Sequence, residues 1–138
     1  MAAAARYKLE NGKFVVPGPV EDTVRLESLH IAQAFVYGMN RPHNVMLIVP
    51  DFRACAEELG LTGAEAEPAR MVDSPSVRAL IQAEIDHVAP LLKSYCVPRN
   101  FLLLAEEFSV ENGLLTPKLS MKRPAITKRY QTALDALY

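Results

Sequence analysis

The stretch "IAQAFVYGMNRPHNVMLIVPD", residues 31–51, decides the fold. Two apolar runs, 31–38 and 44–50, are rich in Val, Ile and aromatics and are separated by the loop "GMNRPH". Short apolar runs bounded by turn residues read as buried strands. Asp51 follows as a helix N-cap. Phe52, Cys55, Ala56 and Leu59 then share one face of a short helix, and Gly60 stops it.

Upstream, "YKLENGKFVV" reads as a β-hairpin. Asn11-Gly12 supplies two positive-φ positions for a type I′ turn, which pairs Glu10 with Lys13 and Leu9 with Phe14. "PGP" at 17–19 ends the strand, and Pro19 opens a short helix through about Ser28. Downstream, 61–73 is a polar connection. Ser74-Pro75 starts a longer helix whose apolar stripe is Val77, Leu80, Ile81, Ile85, Val88, Leu91 and Leu92, with Pro90 kinking its last turn. "NFLLLAEEF", 100–108, is a further buried strand ending in a solvent-seeking pair. Pro124 opens the last helix, with Ile126, Tyr130, Ala133, Leu134 and Leu137 inward. The expected fold is a small α/β (α+β) domain over residues 6–138: an N-terminal hairpin, then about three core strands flanked by helices. Met1–Ala5 reads as an added leader or a truncation scar.

The chain has 138 residues, half of them hydrophobic and 22% charged, with a formal net charge of −1. That suits one globular domain and gives no global attraction to nucleic acid or anionic membrane. Cys55 and Cys96 lack the spacing of a disulfide framework or zinc site and read as buried, reduced thiols of a cytoplasmic protein. No apolar run reaches the roughly 18 residues of a membrane span, and "MAAAAR" is no signal peptide.

Neither a Gly-rich phosphate loop, a GxSxG elbow nor an HExxH motif occurs. His30, His43 and His87 have no ligand-like spacing, so no metal site is expected, and His87 reads as a surface residue. Glu106-Glu107 is a poor acid/base pair, because neighbouring strand residues face opposite ways. By motifs alone the chain is not a complete enzyme. The unusual segment is basic: Lys118, Lys122, Arg123, Lys128 and Arg129 occur without an intervening acid. Lys122 and Arg123 stand at the positive end of a helix dipole, where cations are disfavoured. Such a placement suits either a solvated basic face or an anion site.

"YKLENGKFVVPGPVE", "IAQAFVYGMNRPHNVMLIVPD" and "FSVENGLLTPKLSMKRPAITKRY" resemble, in that order, the C-terminal subdomain of long-chain acyl-CoA synthetases, members of the adenylate-forming superfamily. The resemblance runs from about Tyr7 to Tyr130. It implies a reaction in which a fatty acid and ATP, with magnesium (Mg2+), give an acyl-adenylate, whose acyl group passes to the thiol of CoA. It also implies an N-terminal adenylating domain outside this chain, a small C-terminal domain that offers a different face to each half-reaction, and no activity from the isolated chain. A lysine of the last motif serves adenylation, and the loop Lys8–Gly12, with Lys8, Asn11 and Gly12, lines the path of CoA. Arg123 is expected beside the cofactor.

The family motif commonly reads "LTPT", apolar, Lys, apolar, Lys, Arg; this chain reads "LTPKLSMKR". Ungapped, the usual lysine position is Ser120. Lys118 and Lys122 lie two residues to either side, and an extended segment points all three the same way. Lys122, beside Arg123, and Lys118 are the two candidates. Without a catalytic role the domain would be a free-standing module whose basic edge docks a protein, a lipid surface or RNA. RNA would want aromatics among the cations, and only the core-facing Tyr130 lies there. The expected location is the cytoplasm, including the cytosolic face of a membrane reached through the rest of the protein.

Overall fold

The computed structural model describes residues 6–138, so the reading of Met1–Ala5 lies outside the described residues. In chain order it forms β1 (Tyr7–Lys8), β2 (Phe14–Val15), α1 (Pro17–Leu26), β3 (Ile31–Tyr37), β4 (Val45–Pro50), α2 (Phe52–Leu59), α3 (Pro68–Met71), α4 (Pro75–Val88), β5 (Phe101–Leu103) and α5 (Arg123–Asp135). β4 is the middle strand of a three-stranded sheet, antiparallel to β3 and parallel to β5. The expected α/β class and the three-strand core are both observed.

β4 is buried at every position, which explains its unbroken apolar run. Met46 and Ile48 face one core with Val24, Ile81 and Ile85 from the helices. Val45, Leu47 and Val49 face a second core with Phe108, Leu114, Ile126 and Leu134. The sheet is therefore covered on both sides, and α5 belongs to the second side. α2 and α4 start where caps predict: Asp51 accepts from the Ala54 amide at 3.0 Å, and Ser74 accepts from Val77 at 3.4 Å. Gly60 ends α2 in the left-handed region, at φ 67°.

Several local expectations are corrected. The first hairpin pairs Tyr7 with Val15 and Lys8 with Phe14, and the Leu9 amide donates to the Lys13 carbonyl. The loop is therefore three residues long, with Gly12 alone at positive φ. A one-residue change of register swaps which side chains face inward. This register buries Leu9 and Val15 together, worth about 1.5–3 kcal/mol each. Phe14 is left outside, beneath Arg6 and Lys8. α1 begins at Pro17 rather than Pro19 and ends at Leu26. The polar connection holds α3, whose Met71 is fully buried. α4 ends at Val88 in a 3-10 turn carrying Pro90, and the turn throws Leu91 off the apolar stripe to 60% exposure.

β5 spans only three of the residues expected in 100–108, because parallel pairing with Met46–Ile48 exhausts the ladder. The chain then bends. Gln33 replaces the missing strand partner: its side-chain amide donates to the Phe108 carbonyl at 3.0 Å and accepts from the Phe108 amide at 2.7 Å. Glu106 and Glu107 lie in the exposed bend, not on a strand, and Glu106 pairs with Arg129 at 2.6 Å.

Candidate active-site surface

The basic segment is a second hairpin. Leu115 bridges Met121, the Thr116 amide donates to Ser120, and the Lys122 amide donates to Leu114 at 2.8 Å. Its loop is Pro117-Lys118-Leu119. The Leu119 amide closes a turn on the Thr116 carbonyl, and Leu119 itself sits at φ 65°. Proline at the first central position of such a turn has the φ the turn needs. The expected extended run is thus broken at Leu119. Lys118 lies in the loop, whereas Ser120 and Lys122 are two residues apart on the returning arm and share a face. The base is firm: Leu114 and Leu115 are buried, and the Asn112 side chain accepts from the Ser109 and Leu114 amides and donates to the Glu107 carbonyl.

Lys122 is the N-cap of α5 and has no side-chain cap bond. Arg123 follows, and its guanidinium grips Glu21 of α1 with two hydrogen bonds, at 2.8 and 2.5 Å. Glu21 is 3% exposed and also accepts from the Val36 amide of β3 at 2.8 Å. Burial pushes the Glu21 carboxyl up, and Arg123 and Val36 pull it back. Burial alone would pull the Arg123 guanidinium down, but Glu21 outweighs this and holds it above its ordinary range. The pair thus neutralises one of the two cations at the helix start, where positive charge is disfavoured. Removing Arg123 would cost about 3–5 kcal/mol, since the buried Glu21 carboxylate would be left uncompensated. Removing Glu21 would cost less, because Arg123 is partly exposed. Among the described residues, Lys118, Lys122 and Lys128 have no ion-pair partner, while Arg123 and Arg129 each have one.

A cleft of about 380 Å³ lies between the first hairpin, the end of β3 and α5; Tyr7, Phe35, Gly38, Arg123 and Gln131 line it. Tyr7 closes one wall. Its hydroxyl donates to the Asn44 side chain at 2.5 Å, and Asn44, fully buried, donates on to the Cys96 carbonyl at 2.9 Å. Burial pushes the Tyr7 phenol up, so it stays a neutral donor. This chain of bonds roots the Lys8–Gly12 loop in the sheet. At the tip, Asn11 accepts from the Lys13 amide at 2.9 Å, and nothing lies within 4 Å of a Cβ placed on Gly12.

Arg123 and Tyr7 therefore meet at one cleft, whose lining includes neither Lys118 nor Lys122. Asn11 and Gly12 are exposed on the first loop, and Lys8 is exposed on β1 just before it, paired with Phe14. Arg123, expected beside a cofactor, has its guanidinium committed to Glu21. Glu21 itself escaped the sequence reading, although a signal existed. Pro17, Val20, Glu21 and Val24 form the buried stripe of α1, and a carboxylate on an apolar stripe requires a partner. No group of three or more His, Cys, Asp or Glu able to hold a metal occurs among the described residues.

This architecture is that of the C-terminal part of adenylate-forming enzymes. The adenylation domain of a carboxylate reductase from Mycobacterium chelonae superposes with a TM-score of 0.78 at 31% identity, over 96% of this chain and 19% of that one. The chain belongs to the family of AMP-binding enzyme C-terminal domains, whose model matches residues 5–138. A peroxisomal acyl-CoA ligase 891 of Penicillium brevicompactum is 32% identical over 141 residues, 95% of this chain and 20% of the relative. Long-chain-fatty-acid–CoA ligase 5 of Rattus norvegicus is 32% identical over 138 residues, 96% of this chain and 20% of the relative. The chain spans about one fifth of the length of the curated relatives it matches.

Proposed function

We propose that this chain is the C-terminal domain of an ATP-dependent long-chain fatty acid–CoA ligase, acting with an N-terminal adenylating domain of the same protein. In the first half-reaction the fatty carboxylate oxygen attacks the α-phosphorus of ATP and pyrophosphate leaves. In the second the CoA thiol attacks the acyl carbonyl and AMP leaves. The observation that carries this reading is Lys122: an exposed, unpaired ammonium at the foot of a hairpin whose base is buried and ion-paired.

Adenylation brings two anions together and gathers charge on phosphoryl oxygens. A fixed ammonium aimed at that charge lowers the barrier electrostatically. Lysine suits this as a compact charge on a long stem. Lys122 shares the face of Ser120, where the family motif has its lysine, and is the preferred donor. Lys118, displaced into the loop, is the alternative. For the second half-reaction we assign the Lys8–Gly12 loop to the thiol's approach, Gly12 allowing backbone to come close where no Cβ intervenes. Two buried free thiols suit a reducing compartment, and we place the protein in the cytoplasm. No helix of the described residues is long and apolar enough to cross a membrane.

The test separates the half-reactions in the ligase polypeptide. Lysine-hairpin variants should lose acyl-adenylate formation, while Gly12 variants should lose thioester formation from pre-made acyl-adenylate. If both sets of variants slowed the same step, the assignment of faces would be wrong.

A further inference from the structure

We propose that Glu21 is a positioning residue for Lys122, acting through Arg123. This rests on the reading of the second hairpin as the bearer of the adenylation lysine. Glu21 comes from α1, 102 residues before Arg123. Its carboxylate accepts three hydrogen bonds within the protein: one oxygen takes the Val36 amide and one Arg123 nitrogen, the other takes the second Arg123 nitrogen. It therefore ties three elements, α1, β3 and the first residue of α5, at one point.

Lys122 directly precedes that point. Its amide is held by the Leu114 carbonyl, and its carbonyl accepts from Ile126 at 3.0 Å. With Arg123 clamped next in line and stacked 5.6 Å over the Phe35 ring, the backbone of Lys122 is fixed on both sides. The side chain itself stays exposed and unpaired. A buried ion pair is a weak way to gain stability, since apolar packing of equal volume does as well or better. At this position it adds direction: a fixed root for a cation that must reach a reacting phosphate. Lys118 shares none of this anchorage, because it lies beyond the closing Thr116–Ser120 pair.

The route through Lys122 gives the proposal a signature that a purely structural role lacks. Glu21→Gln in the ligase polypeptide should slow single-turnover acyl-adenylate formation by about 10- to 100-fold, the scale of an ångström of misplacement. Thioester formation from synthetic acyl-adenylate should hold. In a Lys122→Ala background Glu21→Gln should add no further loss, whereas in a Lys118→Ala background the two losses should multiply. Arg123→Lys, which keeps the charge but not the two-pronged grip, should behave like Glu21→Gln, and it decides the matter if thermal melting shows that Glu21→Gln does not fold. The proposal is overturned if the loss persists on top of Lys122→Ala, if both half-reactions fall together in variant protein that is still folded at the assay temperature, or if adenylation is unaffected. Should Lys122→Ala itself leave adenylation intact, the lysine reading fails and this proposal with it. A Lys122→Ala loss without a Glu21→Gln loss removes this proposal alone.

Discussion

Gly12 and Leu119 occupy the same place in two loops of the same form. Leu9 and Thr116 each accept from the amide three residues on, and each donates to the carbonyl four residues on. Gly12 at φ 87° and Leu119 at φ 65° take the left-handed position that closes each loop. One site has the residue that suits this conformation, and the other carries a branched side chain that does not. The loops proposed for the two half-reactions thus share one backbone design.

Gly12→Ala should therefore destabilise the chain by about 1 kcal/mol through backbone strain alone, since no atom stands in the way of the added Cβ. Leu119→Asn should do the reverse and raise stability by a few tenths to about 1 kcal/mol, because Asn tolerates the left-handed region. Urea melts of the 138-residue chain read both changes. Equal midpoints for Gly12→Ala and wild type would contradict the strain argument.

Gly38 has no positive φ, yet it cannot accept a side chain. A Cβ there would lie 2.3 Å from Asn44 Oδ1 and 3.0 Å from Leu9 Cδ2. Gly38→Ala should displace Asn44 from the Tyr7 hydroxyl and cost about 1–3 kcal/mol. A thermal melt checks the loss. Nuclear magnetic resonance of the Lys8–Gly12 amides checks its origin, since the Tyr7–Asn44 bond roots that loop.

Acid stability reports on Glu84. Burial pushes its carboxyl up, but hydrogen bonds from Ser28, His30 and the Leu29 amide outweigh burial and hold it below its ordinary value. A depressed carboxyl contributes stability above its unfolded pKa of about 4.3 and loses it as pH falls toward the folded value. Glu84→Gln should cost about 1–3 kcal/mol near neutral pH and narrow its deficit as pH drops below about 4. Glu21 works with the opposite sign, since burial pushes its carboxyl up. Comparing wild type with the single variant isolates Glu84. A deficit independent of pH would refute the assignment.

What the sequence conveys depends on how local the cause is. β3, β4, α2 and α4 follow from apolar runs and from Asp51, Ser74 and Gly60, signals that act within a few residues. The first hairpin's register did not follow, because Asn-Gly permits two loop forms and burial of Val15 with Leu9 chose between them. β5 stopped short because its partner Met46–Ile48 is a property of the sheet, and Gln33 took over the pairing from a remote strand. The lysine pair was legible as a basic run. Its shape was not: the loop turns at Leu119, a residue type rarely found at positive φ. Glu21 was visible only as an acid on an apolar stripe, with its partner 102 residues away.

The most direct test of the account is the single-turnover rate of acyl-adenylate formation in the ligase polypeptide carrying Lys122→Ala, measured beside thioester formation from pre-made acyl-adenylate. Loss of one well-placed electrostatic donor predicts a fall of about 100-fold or more in the first step with the second step retained. An unchanged first step, with Lys118→Ala also unchanged, would mean that the hairpin is a solvated basic edge and that the domain contributes no cation to adenylation.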